Sequence, residues 1–244
     1  MTQRLGSHRP EPRGKSGSSS LKTKKYPAFY PYQDFGDSRE LKYSIRSLQN
    51  IKNWDGNVYI AGSKCSWFNS AIHFLSVEKT DKTKFFDSSH KIATAIRSRF
   101  IKGDFILMND DFFAIRPTEV KHFMAGEKRI SGSGEYRQAS LTTHEIVARY
   151  NVKIPLDFEL HVPMLANAGK WLEIYDSLTD LEKQYASMRT LYGNLALAEE
   201  VKTKIPDNKV SSLKNLLPEC DFFSTTRFID EITELYPEKS KYER

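Results

Sequence analysis

The chain has 244 residues, of which 39% are hydrophobic and 12% aromatic, and its formal net charge is +6. This composition is sufficient for a sizeable hydrophobic core and excludes a wholly disordered chain. No apolar stretch approaches the roughly 18 to 20 residues of a membrane-spanning helix, and no secretory signal is recognisable at the N-terminus. Cys65 and Cys220 lie far apart in no metal-binding spacing, so we predict two free thiols and a cytoplasmic protein.

The positive charge is concentrated in residues 1–25. This segment is rich in Gly, Ser and Pro and has one acid, Glu11, against seven bases: Arg4, Arg9, Arg13, Lys15, Lys22, Lys24 and Lys25. We interpret it as a disordered basic tail, or as residue of an expression fusion. A native tail of this kind binds polyanions weakly through phosphate contacts, and a purely solubilising role explains it equally well. Residues 26–244 are predicted to form a single domain.

The first part of that domain, residues 26–118, alternates short apolar strands with amphipathic helices. Strands are predicted in YPAFYPY, NVYIAG, AIHFLSV and DFILM, and helices in DSRELKYSIRSLQNI and DSSHKIATAIRSRF. Asp37 stands three residues before Glu40, which predicts that Asp37 caps the first helix. The alternation is typical of an α/β fold with a mostly parallel central sheet and helices on both faces.

The second part, residues 119–244, is less regular. We predict a loop in EKRISGSGEYRQ, a short helix in SLTTHEIVARYN and an extended segment in IPLDFELHVPML. Helices are predicted in NAGKWLEIYDSL and throughout DLEKQYASMRTLYGNLALAEE, and mixed loop and strand in DNKVSSLKNLLPECDFFSTT. There is no internal repeat, Walker-type loop or GxGxxG motif.

Two adjacent carboxylates follow the fourth predicted strand, in FILMNDDFFAIRP. Ligands of parallel α/β sheets bind at the carboxyl ends of the strands, which is where Asp110 and Asp111 lie. A carboxylate pair suits a hard divalent cation that bridges the protein to a diphosphate. An exposed turn between two strands explains the same residues equally well. His161, in DFELHVPM, could complete a metal shell, although a lone histidine is more often structural.

Several segments, in their order along residues 28–243, resemble one family pattern. They are RELKYSIRSLQNI, NVYIAG followed by Trp67, FILMNDDFFAIRP, FELHVPM, MRTLYGN and the closing YPEKSKYE. The pattern is similar to that of the Stealth sugar-phosphate transferases and of phage-type glycosyltransferases related to the base J glucosyltransferase. Stealth proteins are usually longer, so the compact length is more similar to the phage enzymes.

The resemblance implies the type A glycosyltransferase fold and metal-dependent transfer of a hexose from a UDP-sugar to a hydroxyl group. Glucose is the hexose that we favour. It implies Mn²⁺ (or Mg²⁺) held by Asp110, Asp111 and His161, with Asp111 also catalytic. Asn109 stands where many type A enzymes have the first Asp of Asp-x-Asp. Residues 26–118 would bind the nucleotide sugar, through Asp37, Arg39, Arg46, Lys91 and Asn109. Residues 119–244 would bind the acceptor, through Tyr192 and Asn194.

Arg39 and Arg46 are two helical turns apart and could clamp a phosphate from one face, while two solvated arginines explain the spacing as well.

The phage-type resemblance further implies a 5-hydroxymethylpyrimidine in DNA as the acceptor, in the cytoplasm of an infected host. Such an enzyme must extrude the base or act on an opened strand, with backbone contacts from the tail and from Lys128, Arg129 and Arg137. Two alternatives remain open: a Stealth-like sugar-phosphate transferase acting on a surface polysaccharide, and a non-catalytic nucleotide- or carbohydrate-binding module.

An inverting transfer needs a general base, and a retaining one does not. Asp157, Glu159 and Asp221 are eligible by residue type. We favour Asp157 because it shortly precedes His161 on the same segment.

Overall fold

The structure is a computed structural model that describes residues 24–225 and 230–244. The basic tail predicted for residues 1–25 therefore lies outside the described residues, except for Lys24 and Lys25. The Lys24 ammonium group contacts the Asp104 carboxylate. Within the described ranges, no helix combines the length and apolar character needed to cross a bilayer.

The described residues form twelve strands and seven α-helices. The strands are β1 (Tyr26–Tyr32), β2 (Trp54–Gly62), β3 (Ile72–Ser76), β4 (Asp104–Leu107), β5 (Phe112–Ala114), β6 (Phe123–Met124), β7 (Gly126–Glu127), β8 (Leu156–Asp157), β9 (Met164–Asn167), β10 (Thr203–Lys204), β11 (Lys209–Val210) and β12 (Phe222–Thr225). The helices are α1 (Arg39–Ser47), α2 (Lys84–Arg97), α3 (Gly134–Arg149), α4 (Ala168–Asp176), α5 (Asp180–Tyr185), α6 (Met188–Leu195) and α7 (Glu231–Leu235).

The central sheet has five strands in the order β3-β2-β1-β4-β9. The first four are parallel, with Tyr30 opposite Ile60 and Ala28 opposite Ile106, and β9 runs antiparallel to β4. The four strands predicted in residues 26–118 are all present, and the mixed α/β class with a mainly parallel central sheet is confirmed.

Alternate residues of the central strands enter two separate hydrophobic cores. Phe29 and Phe105 pack on one face with Ile92 of α2, whereas Tyr30 packs on the other face with Leu41 of α1. This division follows from the two-residue repeat of a strand, which directs successive side chains to opposite faces. Each fully buried large apolar side chain contributes about 1.5–3 kcal/mol. Both faces of the sheet are therefore covered by helices, as predicted.

Both helices of residues 26–118 begin at positions other than those predicted. Ser38, not Asp37, is the residue before α1, and no capping box forms; the Asp37 carboxylate instead accepts hydrogen bonds from the backbone and side chain of Arg39. Helix α2 begins at Lys84, three residues early, because the Thr83 hydroxyl accepts the N–H of Phe86 and caps it there.

The second part of the chain differs from prediction in three elements. Helix α3 begins inside the predicted SGSG loop and has 16 residues. The extended segment around IPLDFELHVPML contains only β8 and β9, separated by irregular backbone. The single helix predicted for residues 180–200 is instead two helices, α5 and α6, because Ala186 and Ser187 between them have extended backbone. This break brings the first turn of α6 to the candidate site.

Candidate functional site

A cleft of about 690 Å³ opens at the carboxyl ends of β1 and β4. In the sheet order, β2 lies on one side of β1 and β4 on the other, so the cleft lies at the point where successive connections leave in opposite directions. Such switch points are the usual ligand sites of open α/β sheets. We call it the central cleft. The two strand ends line it with Pro31, Gln33, Phe35, Asn109, Asp110 and Asp111.

The opposite wall of the central cleft comes from the second part of the chain and from α2. Its chemistry-bearing residues are Lys84, Lys128, Ser131, Ser133, Tyr136, Glu159, His161, Ser187, Arg189 and Lys209. The cleft thus combines the carboxylates of Asp110 and Asp111, which we call the acidic floor, with several cationic side chains on its walls. That distribution suits a ligand that carries negative charge together with a metal cation.

The acidic floor is crowded with carboxylates. Burial, the neighbouring Asp111 and the Glu40 carboxylate together raise the pKa of Asp110 to about 7. The pKa of Glu40 is also raised, chiefly by burial and then by Asp111. Negative charge at Asp110 is therefore unfavourable until a positive group arrives.

Asp111 is positioned by two residues that are remote in sequence. The Ser224 hydroxyl, on β12, donates a 2.7 Å hydrogen bond to Asp111 Oδ2. Lys209 Nζ, on β11, lies 3.8 Å from the same oxygen and 3.4 Å from Nε2 of His161. The Lys209 ammonium group thus lies between two of the residues predicted to hold a metal.

His161 is fixed by a carboxylate that sequence reasoning missed. Its backbone N–H donates to Asp207 at 2.9 Å, and its Nδ1 lies 2.8 Å from the other carboxylate oxygen. Burial alone would raise the pKa of Asp207, but the hydrogen bonds from His161 lower it. This pairing directs Nε2 of His161 toward Lys209.

The residues of the acidic floor fit a divalent cation. Mg²⁺ at phosphate sites is commonly bound through one or two carboxylates, the remaining ligands being substrate phosphates and water. Asp110 and Asp111 supply such a pair of oxygen donors. No larger group of His, Cys, Asp or Glu in the described part of the chain is arranged to hold a metal by itself. The pair therefore suits an ion that the ligand helps to bind.

Of the residues predicted to contact the nucleotide sugar, Asn109 lines the central cleft. Asp37 and Arg39 form an exposed ion pair at the start of α1 and are not among the residues that line the cleft. Arg46 is buried and donates to both carboxylate oxygens of Glu243 at 2.8 Å, and so joins α1 to the C-terminal segment. Lys91 is also buried, where it pairs with Asp87, itself a lining residue.

The residues predicted to bind the acceptor have structural partners away from the central cleft. The buried Tyr192 hydroxyl accepts the backbone N–H of Asn167 at 2.7 Å. The Asn194 side chain bonds both backbone groups of Leu156, at 2.8 Å each, and borders a separate cavity of about 510 Å³.

The three candidate general bases differ in their partners and in whether they line the central cleft. Asp157 is paired with Lys128 at 3.0 Å, and Asp221 is paired with Arg116 at 3.2 Å. Neither lines the central cleft. Glu159 does line it, and its carboxylate accepts a hydrogen bond from the Ser187 hydroxyl.

Several lining residues were not singled out from the sequence, among them Phe35, Gln33, Arg189 and Lys209. Phe35, a residue that is 79% exposed, follows β1 at the cleft mouth, and Gln33 precedes it. Arg189 and Lys209 enter from α6 and β11. Arg189 lies in the MRTLYGN segment that carries part of the family resemblance, so a signal for it was present; the other three carry none.

No protein-family model matches the chain, and no curated protein matches it.

Proposed function

We propose that the protein is a metal-dependent glycosyltransferase that moves a hexose, with glucose the first candidate, from a UDP-sugar to a hydroxyl acceptor. The carboxylate pair of Asp110 and Asp111 at the floor of the central cleft carries this proposal, because the two strand ends there form the expected ligand site of such a sheet. The raised pKa of Asp110 supports it, since a bound cation would relieve the repulsion among the floor carboxylates.

In this proposal Asp110 and Asp111 hold Mn²⁺ or Mg²⁺, which neutralises the charge that develops on the departing diphosphate. Asn109 borders the same floor, and Phe35 offers an exposed aromatic ring at the cleft mouth. A ring in that position is suited to stack on the nucleobase. The cationic wall residues face the phosphates, so the protein binds the donor by both charge and shape.

Glu159 is the carboxylate best placed to act as general base in an inverting transfer. It lines the cleft, whereas Asp157 is neutralised by Lys128. Glu159 would take the proton of the acceptor hydroxyl, while the Ser187 hydroxyl holds its carboxylate in place. We therefore propose Glu159 as the general base, in place of Asp157, which the sequence analysis favoured.

The acceptor in this proposal is the hydroxyl of a 5-hydroxymethylpyrimidine in DNA. Arg129 and Arg137 are exposed near the cleft wall that includes Lys128, Ser131 and Tyr136. Exposed arginines beside an exposed tyrosine suit contact with a nucleic acid backbone and an unstacked base.

Release of UDP from UDP-glucose, with and without Mn²⁺, tests the proposal. We expect the wild type to release UDP only with the metal, and Asp111→Asn to release none. Asp221→Asn is the matched control, because it removes an equivalent charge from an ion pair outside the cleft. Release of UMP would favour a sugar-phosphate transferase, and absence of both turnover and metal-dependent nucleotide binding would contradict the proposal.

A further inference from the structure

Arg189 lines the central cleft from the first turn of α6, and its guanidinium group is firmly held. Its Nε donates to the carbonyl oxygen of Phe158 at 3.2 Å, and its Nη2 donates to that of Val162 at 2.6 Å. The guanidinium carbon lies 5.4 Å from the centre of the Phe112 ring, over its face. Two carbonyl groups and one aromatic ring therefore fix the plane of the guanidinium group.

The third nitrogen of this side chain, Nη1, has no hydrogen-bond partner among the described residues and is shielded from solvent. No carboxylate in the described ranges forms an ion pair with Arg189. The negative charges of Glu159 and Asp111 interact with its guanidinium group only at distances beyond ion-pair contact. Burial lowers the pKa of Arg189, although the guanidinium group of an arginine stays protonated at neutral pH. A shielded donor without an acceptor is costly, and it calls for a partner that arrives with a ligand.

Phosphate is the partner that this geometry suits. A planar guanidinium group with an unused N–H edge binds phosphate oxygens strongly and directionally. Arg189 and the two floor carboxylates, Asp110 and Asp111, line the same cleft, and the charge of Asp111 acts on the guanidinium group. A diphosphate bound to a metal at Asp110 and Asp111 would therefore meet Arg189 at the adjoining wall.

We propose that Arg189 is a catalytic residue whose Nη1–H binds a phosphate oxygen of the nucleotide diphosphate in the central cleft. This inference rests on the proposed function and deepens it. In the transfer, the bond between the sugar C1 and the β-phosphate oxygen breaks, and its electron pair stays on that oxygen. The bond from C1 to the acceptor oxygen forms, and the hydroxyl proton passes to Glu159. Arg189 stabilises the charge that the diphosphate gains.

Calorimetric titration of UDP in the presence of Mn²⁺ tests the inference. We compare the wild type with Arg189→Gln and with the control Arg116→Gln. Arg116 also donates to two backbone carbonyls, those of Pro218 and Cys220, but lies outside the cleft. We expect Arg189→Gln to weaken UDP binding about 10- to 100-fold and Arg116→Gln to leave it unchanged. Affinity for Mn²⁺ alone should be the same in all three proteins.

Two outcomes overturn the inference: UDP affinity of Arg189→Gln within twofold of the wild type, or an equal loss of UDP and Mn²⁺ affinity, which would indicate a collapsed cleft. If Arg189→Gln does not fold, Arg189→Lys replaces it. The lysine keeps the cation but loses the planar edge, so UDP affinity should fall at least about fivefold, and unchanged affinity would refute the assignment.

Inorganic pyrophosphate separates failure of this inference from failure of the proposed function. If the wild type does not bind UDP but binds pyrophosphate in a manner that requires Arg189, the anion site stands and the glycosyltransferase proposal falls. If neither UDP nor pyrophosphate binding requires Arg189, the anion site falls.

Discussion

The ammonium group of Lys209 lies 3.8 Å from Asp111 Oδ2, so a cation of the protein itself neighbours the carboxylate that we propose as a metal ligand. Two cations compete for one carboxylate at such a distance, because their mutual repulsion is strong where solvent is partly excluded. Lys209 is therefore a counter-ion of Asp111 that a bound metal ion would have to displace.

We predict that Lys209→Gln increases the affinity for Mn²⁺ alone. The Lys209 side chain is 37% exposed, and solvent screening limits the gain to about 3- to 10-fold. Titration of Mn²⁺ by electron paramagnetic resonance measures it without any nucleotide. Lys128→Gln is the control, since Lys128 lines the same cleft but pairs with Asp157. Equal or weaker Mn²⁺ binding by Lys209→Gln would show that Lys209 does not compete with the metal.

We predict that Asp110→Asn stabilises the metal-free protein at alkaline pH. The folded protein keeps a proton on Asp110 up to about pH 7, whereas the unfolded chain releases it near pH 4. Stability from this group is thus greatest in acid and falls as the pH rises toward 7. At pH 8 the substitution should raise the free energy of unfolding by about 1–3 kcal/mol, and at pH 3 it should change little.

Urea denaturation at each pH measures the free energy of unfolding. Asp104→Asn is the control, because the pH dependence expected for its stability is the opposite of that for Asp110→Asn. Hydrogen bonds from Asn167 and Lys24 lower the pKa of Asp104, so its contribution is present above the ordinary aspartate pKa and is lost in acid. This variant should be less stable than the wild type at pH 8. An Asp110→Asn variant that is also destabilised at pH 8 would contradict our description of the acidic floor.

We predict that Arg46→Met destabilises the fold without changing the KM for the donor. Arg46 and Glu243 form a buried pair, with side chains 8% and 2% exposed. Removing one partner leaves the other charge buried, at a cost of about 3–5 kcal/mol. Arg97→Met, which breaks the half-exposed pair with Asp176, should cost less than about 1 kcal/mol. A raised KM in folded Arg46→Met would instead restore the phosphate-binding role that the resemblance implies.

We predict that Glu159→Gln lowers kcat far more than Asp157→Asn does. A positioned general base contributes about 10²- to 10⁴-fold, whereas an ion-paired carboxylate outside the cleft contributes through structure alone. Single-turnover transfer from UDP-glucose separates the two variants. Equal losses would remove Glu159 from the role of base, and no loss in either variant would indicate a retaining mechanism.

Local patterns were sufficient to predict the four parallel strands of the central sheet and the carboxylate pair that follows them. Each of the four parallel strands is a short apolar run, and Asp110 and Asp111 stand three and four residues after the last of them, so both features can be recognised in the local sequence. The order of the strands in the sheet was not predicted. The carboxylate that orients His161 is 46 residues away, at Asp207, and Lys209 is farther still from Asp111. Only the folded chain brings such residues together.

The prediction that Asp37 caps α1 was wrong for a local reason. Asp37 has a competing partner two residues on, in the side chain and backbone of Arg39, and this short-range bonding replaces the predicted cap. The break between α5 and α6 was missed because ASMRTLYGN continues the helical apolar pattern across Ala186 and Ser187. That break brings Arg189, in the first turn of α6, into the lining of the central cleft.

Calorimetric titration of UDP into the wild type and Asp111→Asn, with and without Mn²⁺, tests the central claim most directly. We predict that the wild type binds UDP tightly only with Mn²⁺, and that Asp111→Asn loses this metal dependence along with most of the affinity. UDP binding that is independent of Mn²⁺ and unchanged in Asp111→Asn would contradict a metal-held diphosphate in the central cleft.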